Sequence, residues 1–143
     1  MKKNIFSTKM LPFFFGVTSY VLQFGRQRLD VVPHRKVMKT FDSWKKYDYY
    51  HYTSIRDKYT FVDSSSILWL ALLEPVKNDI VCLCLMENIE DKIVFWNMYA
   101  HPQKMSYGSE LIKAFASQDC DHIHLDRNFD PRWKLEYEFM KQI

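Results

Sequence analysis

The feature that most constrains the fold is a strand-like run that passes through a short polar loop into a helix-like run, between Met98 and Leu111. The strand-like part is Ile93–Tyr99 and the helix-like part is Ser109–Ser117. Such a unit presents backbone N–H groups at a helix N-terminus, which suits an anionic group such as a phosphate. Only three glycines occur in 143 residues and one of them, Gly108, lies here. The segment is therefore either an anion-binding loop or an ordinary β-to-α turn.

The N-terminal part, residues 1–57, is predicted to be helical. Leu11–Phe24 is interpreted as a first helix, and Gly25–Asp30 as a turn. A second helix has Pro33 near its start, where proline suits the first turn, and extends to about Lys46. Its apolar residues fall at spacings of four and three, which is one helical stripe. These residues are Val37, Phe41 and Trp44.

The remaining part, residues 58–143, is predicted to hold a sheet and the helix that follows the loop. Strands are predicted at Lys58–Val62, Ile67–Leu73, Asp79–Met86, Lys92–Tyr99 and His122–Leu125, with a hairpin loop at Glu87–Asp91. Pro131 begins a final amphipathic segment. This order predicts a single three-layer α/β domain over 1–143, with a mixed, mostly antiparallel sheet and one β-α-β crossover.

Composition and charge favour a cytoplasmic globular protein. The chain is 48% hydrophobic with a formal charge of +3, and it contains no nucleic-acid-binding motif. The odd cysteine count (Cys82, Cys84 and Cys120) argues for a reducing compartment. The apolar N-terminal stretch is interrupted by polar residues, so neither a signal peptide nor a transmembrane segment is expected. No metal site is predicted, because Cys82 and Cys84 lack further ligands nearby.

The loop and its helix resemble the GNAT fold of acyl-CoA-dependent N-acyltransferases. In that family an R/Q-x-x-G-x-G/A loop leads into a helix with L-L or L-I, and this chain has Gln103 and Gly108, with Ser106 in place of the first glycine, followed by Leu111-Ile112. The resemblance implies that loop amides hold the pyrophosphate of a pantetheine cofactor, from acyl-CoA or from the phosphopantetheine of acyl carrier protein. The implied cofactor-binding residues are Met98, Ala100, Gln103, Ser106, Tyr107, Gly108 and Ser109.

A narrower resemblance is to the toxin-activating lysine acyltransferases. Their G-x-V-S-W-L and S-P-x-H-R motifs are similar to Gly16–Val21 and Pro33-His34-Arg35, and Trp96–Ala100 matches their I-D-W-I-A segment. The resemblance implies a catalytic pair of His34 and Asn97, where Asn97 stands in the place of an aspartate. In the wider family a tyrosine donates a proton to the leaving thiolate, and Tyr137 is the candidate here.

Each of these residues also has a structural interpretation. His34 is either a general base or a solvated histidine of a first helical turn. Tyr137 is either a proton donor or a packing residue beside Trp133. His101 lies in the loop and is a candidate to contact a phosphate or an incoming amine, and the sequence assigns it no partner. The predicted function is the transfer of an acyl group from a thioester to an amine. The amine belongs either to a lysine of an acceptor protein or to a small molecule. The alternative is a catalytically inactive GNAT-like protein that acts as a protein-binding module. For either function, a homodimer is left open as the oligomeric state of the chain.

Overall fold

The computed structural model describes residues 21–24, 27–60, 67–89, 92–116 and 123–142. Within these residues six strands form one sheet, in which the order of the strands follows the chain. The first four pairings are antiparallel and the last, β5 with β6, is parallel. This confirms a mixed, mostly antiparallel sheet. The strands are β1 (Val21–Phe24), β2 (Gln27–Val32), β3 (Ile67–Leu73), β4 (Ile80–Ile89), β5 (Lys92–Ala100) and β6 (Ile123–Leu125).

Four helices occur in the same described residues, and side chains at their starts explain two of them. They are α1 (His34–Trp44), α2 (Tyr49–Lys58), α3 (Met105–Ala116) and α4 (Pro131–Lys141). The Asp48 carboxylate accepts a hydrogen bond from the His51 N–H at the start of α2, and Asp130 does the same for the Arg132 N–H at the start of α4. These bonds satisfy N–H groups that have no partner inside the helix.

The sheet carries a hydrophobic core on each face. Leu83 and Leu85 of β4 pack with α1 and α2, whereas Cys82 and Cys84 pack with α3 and α4. Successive side chains of a strand point to opposite faces of the sheet. When both faces are covered, each strand therefore has a nearly continuous apolar sequence. The predicted α/β class is confirmed, with helices on both sides of the sheet. Among the described residues, every helix is too short or too polar to cross a bilayer.

The predicted N-terminal helices are partly wrong. Val21–Phe24 is a strand instead of the end of a helix, and most of the predicted turn Gly25–Asp30 belongs to β2. β2 pairs with β3, and its Leu29 and Val32 contribute to opposite cores, which is why this charged segment is extended. The rest of the predicted first helix, residues 11–20, lies outside the described residues. The second helix is confirmed as α1.

Three further boundaries differ from the prediction. Lys58 ends α2 instead of starting a strand, and residues 61–62 of that strand lie outside the described part. The predicted hairpin loop begins too early, because residues 87–89 continue β4. Helix α3 begins at Met105, four positions before Ser109, so Gly108 lies inside the helix and not before it. The strands at Ile67–Leu73 and Lys92–Tyr99 are confirmed.

Candidate functional site

Strand β5 separates from its parallel neighbour halfway along its length. The two strands are paired from Ile93 to Phe95, and the Asp126 N–H donates the last bond to the Phe95 carbonyl oxygen at 2.9 Å. β5 then continues to Ala100, whereas β6 ends at Leu125. Within the described residues, the second half of β5 is paired with β4 alone. One side of its backbone is therefore open to a ligand.

A β-bulge marks the point of separation. Leu85 of β4 pairs with Asn97, but the next residue, Met86, pairs with Phe95, so Trp96 is an extra residue in β5. A bulge bends its strand and redirects the side chains beside it. The Trp96 indole N–H donates to a Glu87 carboxylate oxygen at 2.9 Å, which anchors the bulge to β4.

The Asn97 side chain connects the bulge to the start of α4. Its Oδ1 accepts hydrogen bonds from the Met98 N–H at 2.9 Å and from the Asp130 N–H at 3.1 Å. Its Nδ2 donates to the Tyr99 hydroxyl at 3.2 Å. The amide thus has partners for both its oxygen and its nitrogen, and it fixes the geometry of the opening.

The alternation of the strand shows which N–H groups face the open side. The His101 N–H donates to the Val81 carbonyl oxygen of β4 at 2.8 Å. Because successive residues of a strand point their N–H groups to opposite sides, the Tyr99 N–H also faces β4, and those of Met98 and Ala100 face away. Asn97 occupies the Met98 N–H, so within the part of the chain that the structure describes the Ala100 N–H is the donor of this pair that remains for a ligand.

A cavity of about 310 Å³ lies on this open side. Its walls are the end of β5 with Ala100, the α2 residues His51 and Tyr52, Met105 at the start of α3, and Arg132 at the start of α4. Both α3 and α4 therefore begin at the cavity, and helix N-termini favour negative charge. The Asp130 carboxylate, which also lines the cavity, already caps the start of α4, so the start of α3 is the N-terminus that an anionic ligand would use. Arg132 is exposed and adds a formal positive charge at the rim.

The two tyrosines of the cavity act as hydrogen-bond donors and not as bases. Burial raises the pKa of Tyr52 to about 12, and the nearby Asp48 carboxylate adds to the shift. Burial also raises the pKa of Tyr99, with a further contribution from its 2.7 Å hydrogen bond to the Tyr59 hydroxyl. Both phenols remain protonated at neutral pH. His51 is the one histidine that lines this cavity.

The structure gives the predicted loop residues several different environments. Met98 and Ala100 line the cavity, and Gln103 and Ser106 are exposed close to the start of α3. Tyr107 is half-buried and packs against the core of the α3–α4 side. The Ser109 hydroxyl donates to a Glu136 carboxylate oxygen at 3.2 Å, which connects α3 to α4.

Gly108 has a packing explanation. A Cβ atom at this position would lie 2.6 Å from Cη2 of Trp133 and 3.1 Å from Cβ of Ala100. Real Cβ atoms do not approach that closely, so the glycine allows α3 to contact α4 and β5. The sequence singled out this glycine, but its structural role is helix packing.

The predicted catalytic residues are not joined by a hydrogen bond. His34 Nε2 is 3.1 Å from the Thr60 carbonyl oxygen, whereas the partners of Asn97 are those given above. Tyr137 is buried in the core on the α3–α4 side, and its hydroxyl accepts from Lys141 Nζ at 3.5 Å. Neither His34 nor Tyr137 lines the cavity beside Ala100.

Comparison with protein-family models, curated proteins and solved structures finds no match to this chain. Among the described residues, no group of three or more His, Cys, Asp or Glu side chains is arranged to hold a metal ion. The opening beside β5 is therefore the candidate site of this chain. Sequence reasoning missed His51 and Arg132, which reach the cavity through tertiary packing, and no local motif marks them.

Proposed function

We propose that this chain is a GNAT-like acyltransferase that moves an acyl group from a pantetheine thioester to an amine. The observation that carries the proposal is the open side of β5, where the Ala100 N–H faces a cavity at the N-termini of two helices. The oxygen of a thioester carbonyl placed there accepts a hydrogen bond from the Ala100 N–H. The phosphates of the thioester's carrier then lie toward the start of α3 and Arg132. Acyl-CoA and acyl carrier protein both supply this group.

The cavity residues provide the groups that the reaction needs. The amine attacks the thioester carbon, the N–C bond forms, and the carbonyl oxygen gains negative charge that the Ala100 N–H stabilises. His51, which lines the cavity, accepts the amine proton on an imidazole nitrogen as the general base. The C–S bond then breaks. A thiol has a lower pKa than the Tyr52 phenol, so the sulfur leaves as a thiolate to which Tyr52 donates a hydrogen bond.

Ligand binding is tested by thermal unfolding with acetyl-CoA and, separately, with an acylated carrier protein. A ligand that binds only the folded state raises the unfolding midpoint. Arg132→Gln is expected to reduce the shift, and Lys134→Gln, which removes the same charge from the same helix outside the cavity, is the matched control. The absence of a shift with both donors would overturn the proposal.

Turnover is tested with Ala100→Pro, which removes the N–H on the open side while leaving the bonds to β4 intact. The variant is expected to retain its fold and to lose roughly 100-fold or more in acyl transfer to a lysine peptide, the effect of deleting one oxyanion donor. His51→Gln is expected to lower the rate without abolishing the thermal shift.

The hydrogen bonds that hold the Asn97 amide in place favour a second candidate function. In this alternative the chain is a GNAT-like module that binds its partner without catalysis. Its amide is held by Met98, Asp130 and Tyr99 and carries no charge, so it supplies no acid for a histidine pair. This function would be supported over the acyltransferase if the chain bound the thioester but transferred its acyl group to no amine, and if His51→Gln bound the thioester as tightly as the wild type.

A further inference from the structure

A second cavity, of about 410 Å³, lies between α1 and the loop that follows β5. One wall is a polar stripe of α1 formed by Lys36, Thr40 and Ser43, whose spacings of four and three place them on one face of the helix. The opposite wall includes His101 and Lys104 of the loop. The cavity beside Ala100 has none of these residues in its lining.

Positive charge dominates this second cavity. Lys36, Lys46 and Lys104 line it against a single carboxylate, that of Asp79. Lys104 forms an ion pair with Glu74. Among the described residues neither Lys36 nor Lys46 has a carboxylate partner, and the Lys46 ammonium lies 5.1 Å from the centre of the Tyr47 ring. Two ammonium groups therefore remain for a ligand.

His101 adds a neutral donor. Its Nδ1 accepts a hydrogen bond from the Gln103 N–H at 3.1 Å, so the neutral ring carries its proton on Nε2. The ring makes edge-to-face contacts with Trp44 and Tyr47, which fix its orientation. Burial lowers the pKa of His101, and the Lys104 and Lys46 ammonium groups lower it further, against smaller opposing effects of Glu74 and Asp79. The imidazole is therefore neutral at pH 7.

Two hydroxyl groups and one carboxylate of the cavity can accept hydrogen bonds from a ligand. The Thr40 hydroxyl donates to the Lys36 carbonyl oxygen at 2.8 Å, and the Ser43 hydroxyl donates to the Thr40 carbonyl oxygen at 2.7 Å. Their hydrogens are thus directed to the α1 backbone, and their oxygens can accept from a ligand. The Asp79 carboxylate is a further acceptor in the same cavity.

We propose that this cavity binds a small organic phosphate that carries hydroxyl groups. Lys36, Lys46 and the Nε2–H of His101 provide two charges and a hydrogen bond for the phosphate dianion. Thr40, Ser43 and Asp79 accept hydrogen bonds from hydroxyls on the rest of the molecule. The volume is within the range of small-molecule sites. The site is independent of the proposed acyl transfer, since it lies on the α1 side of the loop.

The test is a titration with ribose 5-phosphate, with ribose and inorganic phosphate as comparison ligands, while NMR follows the His101 imidazole. A bound dianion favours the imidazolium, so ribose 5-phosphate is expected to raise the pKa of His101. Lys46→Gln and Lys36→Gln are each expected to weaken binding by about fivefold, the equivalent of ~1 kcal/mol. Lys39→Gln removes an exposed charge of α1 that does not line the cavity, and it should bind as the wild type does.

Three results would overturn the proposal. An unchanged His101 resonance throughout the titration, or an affinity that Lys46→Gln and Lys39→Gln alter equally, would each show that the cavity is not the binding site. Equal affinity for inorganic phosphate and ribose 5-phosphate would contradict the role given to the hydroxyl acceptors. Because Arg132 lines the cavity beside Ala100 and not this one, Arg132→Gln should not alter ribose 5-phosphate binding whether or not acyl transfer occurs.

Discussion

At the scale of single residues, a glycine inside a helix normally costs about 0.5–1 kcal/mol relative to alanine. Gly108 lies within the first turns of α3, so a compensating contact must explain it. That contact is with Trp133, a side chain that is 3% exposed and lies where a Cβ atom of residue 108 would project. The glycine allows a large aromatic ring to fill the space between α3 and α4.

Gly108→Ala is expected to lower the free energy of unfolding by about 1–3 kcal/mol, as is usual when a packed core is overfilled. Urea unfolding measures the change. In a Trp133→Phe background, where the clashing part of the ring is absent, the same substitution should cost much less. Equal costs in the two backgrounds would contradict the packing explanation.

His101 predicts a pH dependence of stability. Its folded-state pKa lies below the ordinary value of 6.5, so the unfolded chain takes up the proton first as the pH falls. Its contribution to stability is therefore complete above pH 6.5 and is lost as the pH falls through the folded-state value. The lowered pKa of Glu74 has the same sign in a more acidic window, below its ordinary value of 4.5.

His101→Asn is expected to make the loss of stability just below pH 6.5 less steep, since asparagine does not titrate and its Oδ1 can replace the acceptor for the Gln103 N–H. Urea midpoints measured across this range give the slope. His124→Asn, at an exposed position of β6, is the matched control and should leave the slope closer to that of the wild type. An identical slope in His101→Asn and the wild type would rule out this contribution.

At the scale of elements, Asn97 joins a strand to a helix. Its Oδ1 accepts from Met98 of β5 and from Asp130, the residue that caps α4. The direction of the second half of β5 and the position of the α4 N-terminus are thus set by one side chain. The opening beside Ala100 depends on both.

Asn97→Ala is expected to cost about 1–3 kcal/mol, because it leaves two N–H groups without their acceptor. Hydrogen exchange should accelerate at Asp130 and in the first turn of α4, while the amides of β3 remain protected. Asn97→Asp retains an oxygen acceptor in the same place and is the matched variant, with slower exchange at Asp130 than in Asn97→Ala. Equal exchange at Asp130 in the wild type and Asn97→Ala would show that the link is unimportant.

The sequence predicts the elements whose apolar pattern is strong. β3 is one continuous apolar run, and α1 has a clear stripe, so both were predicted correctly. β2 carries charged residues, and the sequence predicts a turn over its first four residues, because the pairing of β2 with β3 is a tertiary contact that the local pattern does not contain. α2 has exposed tyrosines and few buried residues, so no stripe indicates it.

The candidate site was predictable only along one segment. The family resemblance implies Met98 and Ala100 as cofactor-binding residues, and both line the cavity. His51 and Arg132 come from α2 and α4, which are far away in the chain, so only the folded structure brings them to Ala100. The resemblance implies Gly108 as a cofactor-binding residue of the loop, whereas the structure explains the glycine by its contact with the distant Trp133.

At the scale of the whole molecule, one sheet supports two cores, each with a central phenylalanine. Phe41 of α1 is fully buried and contacts Trp44, Trp69 and Tyr99 edge to face. Phe115 of α3 stacks on Phe95 of β5 with ring centres 4.5 Å apart. Because β4 and β5 contribute side chains to both cores, loss of either core weakens the support of the other.

This arrangement predicts one cooperative unfolding transition. Phe41→Ala and Phe115→Ala are each expected to destabilise the chain by about 3–5 kcal/mol, since each empties a large buried site. In both variants, tryptophan fluorescence and far-ultraviolet circular dichroism should give the same midpoint, as a two-state domain requires. Trp44 and Trp69 report on the α1 side and Trp133 on the opposite side, so single-tryptophan versions of each variant localise any difference. Loss of structure around Trp133 in Phe115→Ala at a urea concentration where Trp69 remains buried would show instead that the two layers unfold independently.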